Sequence, residues 1–156
     1  MISRIPCEPN EDTSGFYGFN WPTFAQREES IALDITLPVL VVDDQQIMVD
    51  LTRRILARLG FEHVDHTGDG HQALDMLRQG NYKLVISDLH MEIMGGIQLL
   101  RAVRADDQLK TIRFLLMTGS AGVPNVMIAK QAGADAYLLK PFTPEQLKAK
   151  LIEILD

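Results

Sequence analysis

Val39-Leu40-Val41-Val42-Asp43-Asp44 is an uninterrupted apolar run that ends on two carboxylates, and the chain repeats the form three times further on. Leu84-Val85-Ile86 leads through Ser87 to Asp88, Phe114-Leu115-Leu116-Met117 leads to Thr118, and Ala136-Tyr137-Leu138-Leu139 leads to Lys140. Short runs that are apolar at every position read as strands buried on both faces, the habit of a parallel sheet. Parallel strands all point one way, so Asp43, Asp44, Asp88, Thr118 and Lys140 should emerge together at the carboxyl edge. Open α/β sheets place their chemistry there.

Helical patterns fill the gaps between the runs. Residues 45–59 carry apolar side chains at 47, 48, 51, 55, 56 and 59, a stripe that Gly60 closes as a C-terminal cap. A polar second strand is expected at 62–66, a helix at 70–78 stopped by Gly80, and a third strand at 83–87. A helix at 96–104 and a strand at 113–117 follow. The next helix can take Pro124 in its first turn and ends before Gly133. The fifth strand is expected at 134–139. Thr143, Pro144 and Gln146 then spell a capping box at the start of the last helix.

Five strands alternating with five helices predict an α/β fold, a five-stranded parallel sheet with helices on both faces. His63-Val64-Asp65-His66 is too polar for the middle of a sheet and belongs at an edge, whereas the first and third runs belong at the centre. The order 2-1-3-4-5, flavodoxin-like, satisfies both demands and puts the switch point between the strands that end in Asp43-Asp44 and Asp88.

The chain's 156 residues suit one domain with a real core, and 46% hydrophobic against 23% charged residues is a soluble globular composition. No apolar run approaches the roughly 20 residues of a membrane span. Met1-Ile2-Ser3-Arg4-Ile5-Pro6 lacks a signal-peptide core, so a cytoplasmic location is expected. Cys7, the single cysteine, excludes an internal disulfide. A net charge of -6 argues against direct nucleic-acid binding. Residues 1–36 read as an extension that holds Phe16, Tyr17, Phe19, Trp21 and Phe24, with two basic and six acidic side chains. The domain proper is expected over 37–156. Packing of those aromatics back onto the domain is the favoured reading of the extension. Ile31, Leu33, Ile35 and Leu37 alternate like a strand, and a short helix from Thr23 reads equally well.

Three carboxylates in one crevice raise one another's proton affinity unless a cation neutralises them. An all-oxygen, highly charged donor set suits a hard divalent ion, Mg²⁺ above all, completed by water and a phosphate oxygen. Asp88 is then a nucleophile already ionised at neutral pH. Thr118 and Lys140 can each meet a phosphoryl oxygen in a loose transition state. The product would be an aspartyl phosphate. Taken singly, each residue also has a plainer reading: Asp44 as a helix N-cap, Thr118 as a turn residue, Lys140 as a solvated lysine.

Together these residues resemble the response regulator receiver domain, the CheY-like phosphoacceptor of two-component signalling. Asp43-Asp44, Asp88 in Asp88-Leu89-His90-Met91-Glu92-Ile93-Met94-Gly95-Gly96, Met117-Thr118-Gly119-Ser120 and Lys140-Pro141-Phe142 carry the likeness. Separations of 45, 30 and 52 residues link Asp88 to Asp43, Thr118 and Lys140. The resemblance implies phosphorylation of Asp88 by a histidine kinase or phosphotransfer protein. It implies Mg²⁺ held by Asp44, Asp88 and the His90 backbone carbonyl, with Asp43 acting through water. Thr118 and Tyr137 would form the switch, His90 and Ser120 would tune phosphoryl lifetime, and Lys140-Pro141 would be cis. Glu92 stands where the family often has proline and Gly95 where it often has an acid. Gly119 should leave the site open to a partner's side chain.

The leading expectation is therefore a stand-alone response regulator, not an enzyme beyond its own phosphorylation and dephosphorylation. It would act through the face of its fourth helix, fifth strand and fifth helix on a downstream protein. A monomer or weak homodimer without membrane insertion is expected. A phosphatase with an Asp nucleophile usually needs a second carboxylate where His90 stands. In a flavodoxin-like cofactor binder the first loop should offer Ser, Thr and Gly amides to a phosphate, which Asp43-Asp44 would repel. A receiver that serves only as a scaffold is the remaining alternative.

Overall fold

Strand polarity decides strand position in this protein. The computed structural model describes residues 33–119 and 123–155. It contains β1 (Val39–Val42), α1 (Gln46–Leu59), β2 (Val64–Thr67), α2 (Gly70–Gln79), β3 (Leu84–Asp88), α3 (Gly96–Ala105), β4 (Arg113–Thr118), α4 (Val123–Ala132), β5 (Ala136–Leu139) and α5 (Pro144–Leu155). The strands form one parallel sheet in the order β2-β1-β3-β4-β5, as expected. Every residue of β1 and β3 is buried, whereas β2 exposes Asp65 and His66. Burying an aliphatic side chain is worth about 2 kcal/mol over leaving it exposed, which is why the all-apolar runs take the inner positions.

Alternation along the strands divides the core. Leu40, Val42, Val85, Phe114 and Leu116 join α2, α3 and α4 in one apolar cluster that includes Leu74, Leu77, Leu99, Leu100 and Val103. The intervening residues Val39, Val41, Leu84, Ile86, Leu115 and Met117 are equally buried. They point to the other face, where α1 buries Ile55 and Leu56 and α5 buries Leu147, Leu151 and Ile154. Among the described residues no helix is long and apolar enough to cross a membrane.

Local chemistry sets the ends of the helices. Gly60 closes α1 at φ 105°, with the Gly60 N–H donating to Ala57 and the Phe61 N–H to Leu56, a Schellman ending. Asp69 caps α2 by accepting from the His71 N–H at 2.9 Å. The box at α5 forms as read: Gln146 N–H donates to Thr143 Oγ1 at 3.1 Å and Thr143 N–H to Gln146 Oε1 at 2.9 Å. The Lys140-Pro141 bond is cis.

Several boundaries differ from the expected ones. β2 begins at Val64 and runs on to Thr67, and β5 begins at Ala136 instead of 134. Just before β5 the Asp135 N–H still donates to the Phe114 carbonyl at 2.9 Å, while its carboxylate accepts from the Phe114 N–H at 2.8 Å and from Arg104 at 2.9 Å. Leu33, Ile35 and Leu37 belong to neither strand nor helix. Asp34 accepts from the Thr36 N–H at 3.1 Å and folds this stretch into a turn. Ile31 and the rest of residues 1–32, with Cys7 and the aromatic run, lie outside the described residues.

Arg104 ties the amino edge of the sheet together. It donates to the carbonyls of Gly133, Lys110 and Ile112 at 2.9, 3.0 and 2.7 Å and pairs with Asp135 at 2.9 Å. Arg104→Ala strands these acceptors and should lower the unfolding free energy by about 3 kcal/mol in urea titration. Thr52 on α1 is the opposite case, fully buried with an unpartnered hydroxyl. Thr52→Val keeps the shape and removes the unsatisfied group, so it should raise stability by about 1 kcal/mol in the same measurement.

Candidate functional site

The carboxyl edge is built by short extensions of the ladder beyond the strands. The Asp43 N–H donates to Thr67 at 3.1 Å, the Leu89 N–H to Met117 at 2.7 Å and the Lys140 N–H to Thr118 at 2.7 Å. Each chain therefore leaves the sheet with its next residue held in register. Asp88 is the last residue of β3, one place inside the expected loop, and faces Met117 of β4. Thr118 ends β4 and is completely buried.

One oxygen each from Asp43, Asp44 and Asp88 lie within 4.8 Å of one another. The Lys140 ammonium stands 3.3 Å from Asp43 Oδ2 and 3.3 Å from Asp88 Oδ1, bridging the two. Asp43 and Asp88 are buried and Asp44 is exposed, so the cluster opens to solvent on the Asp44 side. Three carboxylates and one ammonium leave a formal charge of −2 at neutral pH. That is the charge a divalent cation balances, and the donors are all hard oxygens, so the residues fit a magnesium-like ion.

Asp43 is held by its environment. Its Oδ1 accepts from the Gln45 N–H at 2.9 Å. The side chain that turns the chain into α1 is therefore Asp43, and Asp44, a possible N-cap from sequence, is left free of that duty; the N-cap position is Gln45. Burial pushes the Asp43 carboxyl above its ordinary 3.8; the Gln45 N–H opposes this, the Asp88 charge adds to it, and Lys140 opposes it.

One glycine at this edge is needed for space, and a second stands in the open. A Cβ on Gly96 would lie 2.3 Å from the Asp88 carbonyl oxygen, and the Gly96 N–H donates to Leu89 at 3.0 Å. Around Gly119 nothing among the described residues stands within 4 Å of a built Cβ, in keeping with an open site beside Thr118. Between Asp88 and Gly96 the chain passes through Ile93 at φ 64°, the one non-glycine left-handed residue among those described. Its side chain is 81% exposed. A β-branched residue there costs about 1–2 kcal/mol, and nothing in the sequence announces it. Met91 and Met94 pack against the apolar core.

The remaining sequence-derived residues fall as follows. His90 is exposed beside Asp88, and Tyr137 is half-buried on the edge strand β5, packed on the core cluster. Ser120 lies outside the described residues. Sequence reading missed the Gln45 backbone donor and the close approach at Gly96, for which the Gly95-Gly96 doublet was the available sign.

A parallel sheet in this order with an acid cluster and a lysine at its carboxyl edge defines a CheY-like receiver. Residues 39–152 match the response regulator receiver domain family. The chemotaxis protein CheY of Pseudomonas aeruginosa is 40% identical over 120 residues, which cover 77% of this chain and 97% of that protein. The solved chemotaxis protein CheY4 of Vibrio cholerae overlays with a TM-score of 0.72 at 31% identity, covering 77% of this chain and 99% of that one. The receiver domain of the sensor histidine kinase PA1611 from Pseudomonas aeruginosa, with a magnesium ion coordinated in its active site cleft, shares the fold at 24% identity. Its TM-score is 0.71, over 77% of this chain and 98% of that one. The chain belongs to the response regulator receiver domain family, whose members are signalling domains of two-component systems.

Asp43 supplies a test of the site's electrostatics. A carboxyl raised in the folded state takes up a proton more readily there than in the unfolded chain. Its contribution favours folding at acid pH and is lost as pH rises from 3.8 through the raised value. Asp43→Asn keeps an acceptor for Gln45 and is uncharged at every pH. In metal-free buffer it should be more stable than the parent at pH 7, and the gap between their urea midpoints should narrow as pH falls through the acid range.

Proposed function

We propose that this chain is a response regulator that accepts a phosphoryl group on Asp88 and answers by changing its contacts with a protein partner. The observation that carries this reading is the Lys140 ammonium held 3.3 Å from both Asp43 and Asp88, with Asp44 completing the cluster. In the step proposed, an Asp88 carboxylate oxygen attacks the phosphorus of a phosphohistidine on a histidine kinase or phosphotransfer protein. The P–N bond breaks, its electron pair returns to the imidazole, and an acyl phosphate forms on Asp88. Attack of water on phosphorus later releases inorganic phosphate and restores the carboxylate.

Each residue has a part in that chemistry. Asp44, Asp88 and the His90 carbonyl would hold Mg²⁺, with Asp43 acting through water. Bound there, the ion supplies positive charge to the phosphoryl oxygens. Lys140 meets one phosphoryl oxygen, which requires its ammonium to exchange a carboxylate for the new anion. Thr118, at the end of β4, meets another through its hydroxyl, and the open space at Gly119 admits the donor. His90 and Ser120 would set how long the phosphoryl group persists.

The signal would leave through Thr118 and Tyr137. Tyr137 sits on β5 next to β4, where Leu116 faces it in register. Movement of Thr118 toward a phosphoryl group would alter the surface of α4, β5 and α5. That surface already exposes Val126, Met127, Ile128 and Leu139, side chains suited to an apolar protein partner.

Incubation of the full chain with Mg²⁺ and a small acyl phosphate should add one phosphoryl group, seen as an intact-mass increment. Asp88→Asn should lose the increment entirely. An unmodified parent protein would turn the reading to a receiver that acts only as a scaffold. Turnover of a phosphate ester would turn it to a phosphatase.

A further inference from the structure

Gly70 opens α2, outside the acid cluster and on a different element from every residue assigned above. A Cβ built on it would lie 2.7 Å from the Met94 carbonyl oxygen and 2.8 and 2.9 Å from Met94 Cβ and Cγ. Real side chains do not come so near, and one of the contacts is backbone, which cannot rotate away. The backbone of Gly70 is not left-handed, so glycine is there for room rather than for conformational freedom. The start of α2 and the loop after Asp88 therefore meet with no side chain from α2 between them.

That loop has reason to need a support. It leaves β3 at Asp88 and enters α3 at Gly96, and Ile93 within it is held at φ 64° with 81% of its surface in water. Exposure means that burial does not compensate the unfavourable backbone. Such a conformation persists only when its surroundings over-determine it. Gly96 clamps one end, against the Asp88 carbonyl. Gly70 provides the other hold, as the seat for Met94.

We infer that Gly70 is a positioning residue for the phosphoryl site: by seating Met94 it fixes the loop that carries the His90 carbonyl, and so sets divalent-cation affinity. This rests on the reading of the cluster as a magnesium site. α2 is itself anchored, with Asp69 capping it and Ala73, Leu74 and Leu77 buried. An added methyl at Gly70 is therefore relieved by displacement of the loop, not of the helix. Left-handed Ile93 has little freedom to absorb that displacement, because a β-branched side chain confines it to a narrow well.

The test uses the full chain. In the metal-free protein, Gly70→Ala should speed hydrogen exchange of the Gly96 amide, which donates to the Leu89 carbonyl at 3.0 Å. In calorimetric titration with Mg²⁺ it should weaken affinity about 10-fold, the effect typical of losing a group that orients a metal ligand. Adding Ile93→Gly to Gly70→Ala should recover most of that loss, since glycine can take up the compensating rotation. A folded Gly70→Ala protein with parental Mg²⁺ affinity overturns the inference, whatever its melting temperature. If Gly70→Ala does not fold, Met94→Ala empties the seat without adding an atom, and unchanged Mg²⁺ affinity in that variant is equally decisive. A parent that binds no Mg²⁺ sinks the reading of the cluster instead, and exchange at Gly96 still decides whether Gly70 holds the loop.

Discussion

The Lys140 ammonium lies 3.3 Å from two buried carboxylates that belong to different strands. Without it, Asp43 and Asp88 would confront each other at the edge of an apolar sheet, where burial alone already pushes the Asp43 carboxyl upward. One cation cannot balance three acids. The cluster is therefore left with an unmet demand for positive charge, which a divalent ion would meet and so let an anionic phosphoryl group approach. The rest of the edge serves this arrangement. Ladder bonds from Asp43, Leu89 and Lys140 keep the charged residues in register with their neighbours. Gly96 lets α3 start against the Asp88 carbonyl.

The loop after Asp88 shows a different economy. It is the part of the site with a disfavoured backbone, and it is gripped by glycines at Gly70 and Gly96 rather than by apolar packing of Ile93. The family often has proline and an acid in this loop, where this chain has Glu92 and Gly95. Gln98 supplies part of the compensation, its side chain accepting from the Gly95 N–H at 3.1 Å to tie the start of α3. Rigidity at the amino edge has a separate source in Arg104, whose donors satisfy three carbonyls and Asp135. The two edges are thus stiffened by different chemistry: close backbone contact near the site, and charge-assisted hydrogen bonds away from it.

The fold was legible because its strands declare their burial. An unbroken run such as Val39 to Val42 admits few positions other than an inner one, and a polar stretch such as Asp65-His66 admits only an edge. Boundaries were less legible where a side chain joins the ladder, as the Asp135 carboxylate does by taking the Phe114 N–H and Arg104 at the start of β5. In the site, Asp43, Asp44, Asp88 and Lys140 could be read as a group because each follows an apolar run. Gln45 could not, since its contribution is a backbone N–H that every residue but proline carries.

What the sequence determined by itself was the pattern: which runs are buried on both faces, which polar residues end them, and hence which residues share one edge. Patterning suffices for this because burial energy is local and repeats along each strand. The tertiary structure decided which two carboxylates the lysine meets, that Asp43 and not Asp44 turns the chain into α1, and that Gly70 touches Met94. It also decided the left-handed backbone of Ile93, against that residue's own preference. The lysine and Gly70 contacts join elements far apart in the chain, and the choice of Asp43 and the angle at Ile93 follow from how those elements pack, so no local preference encodes them.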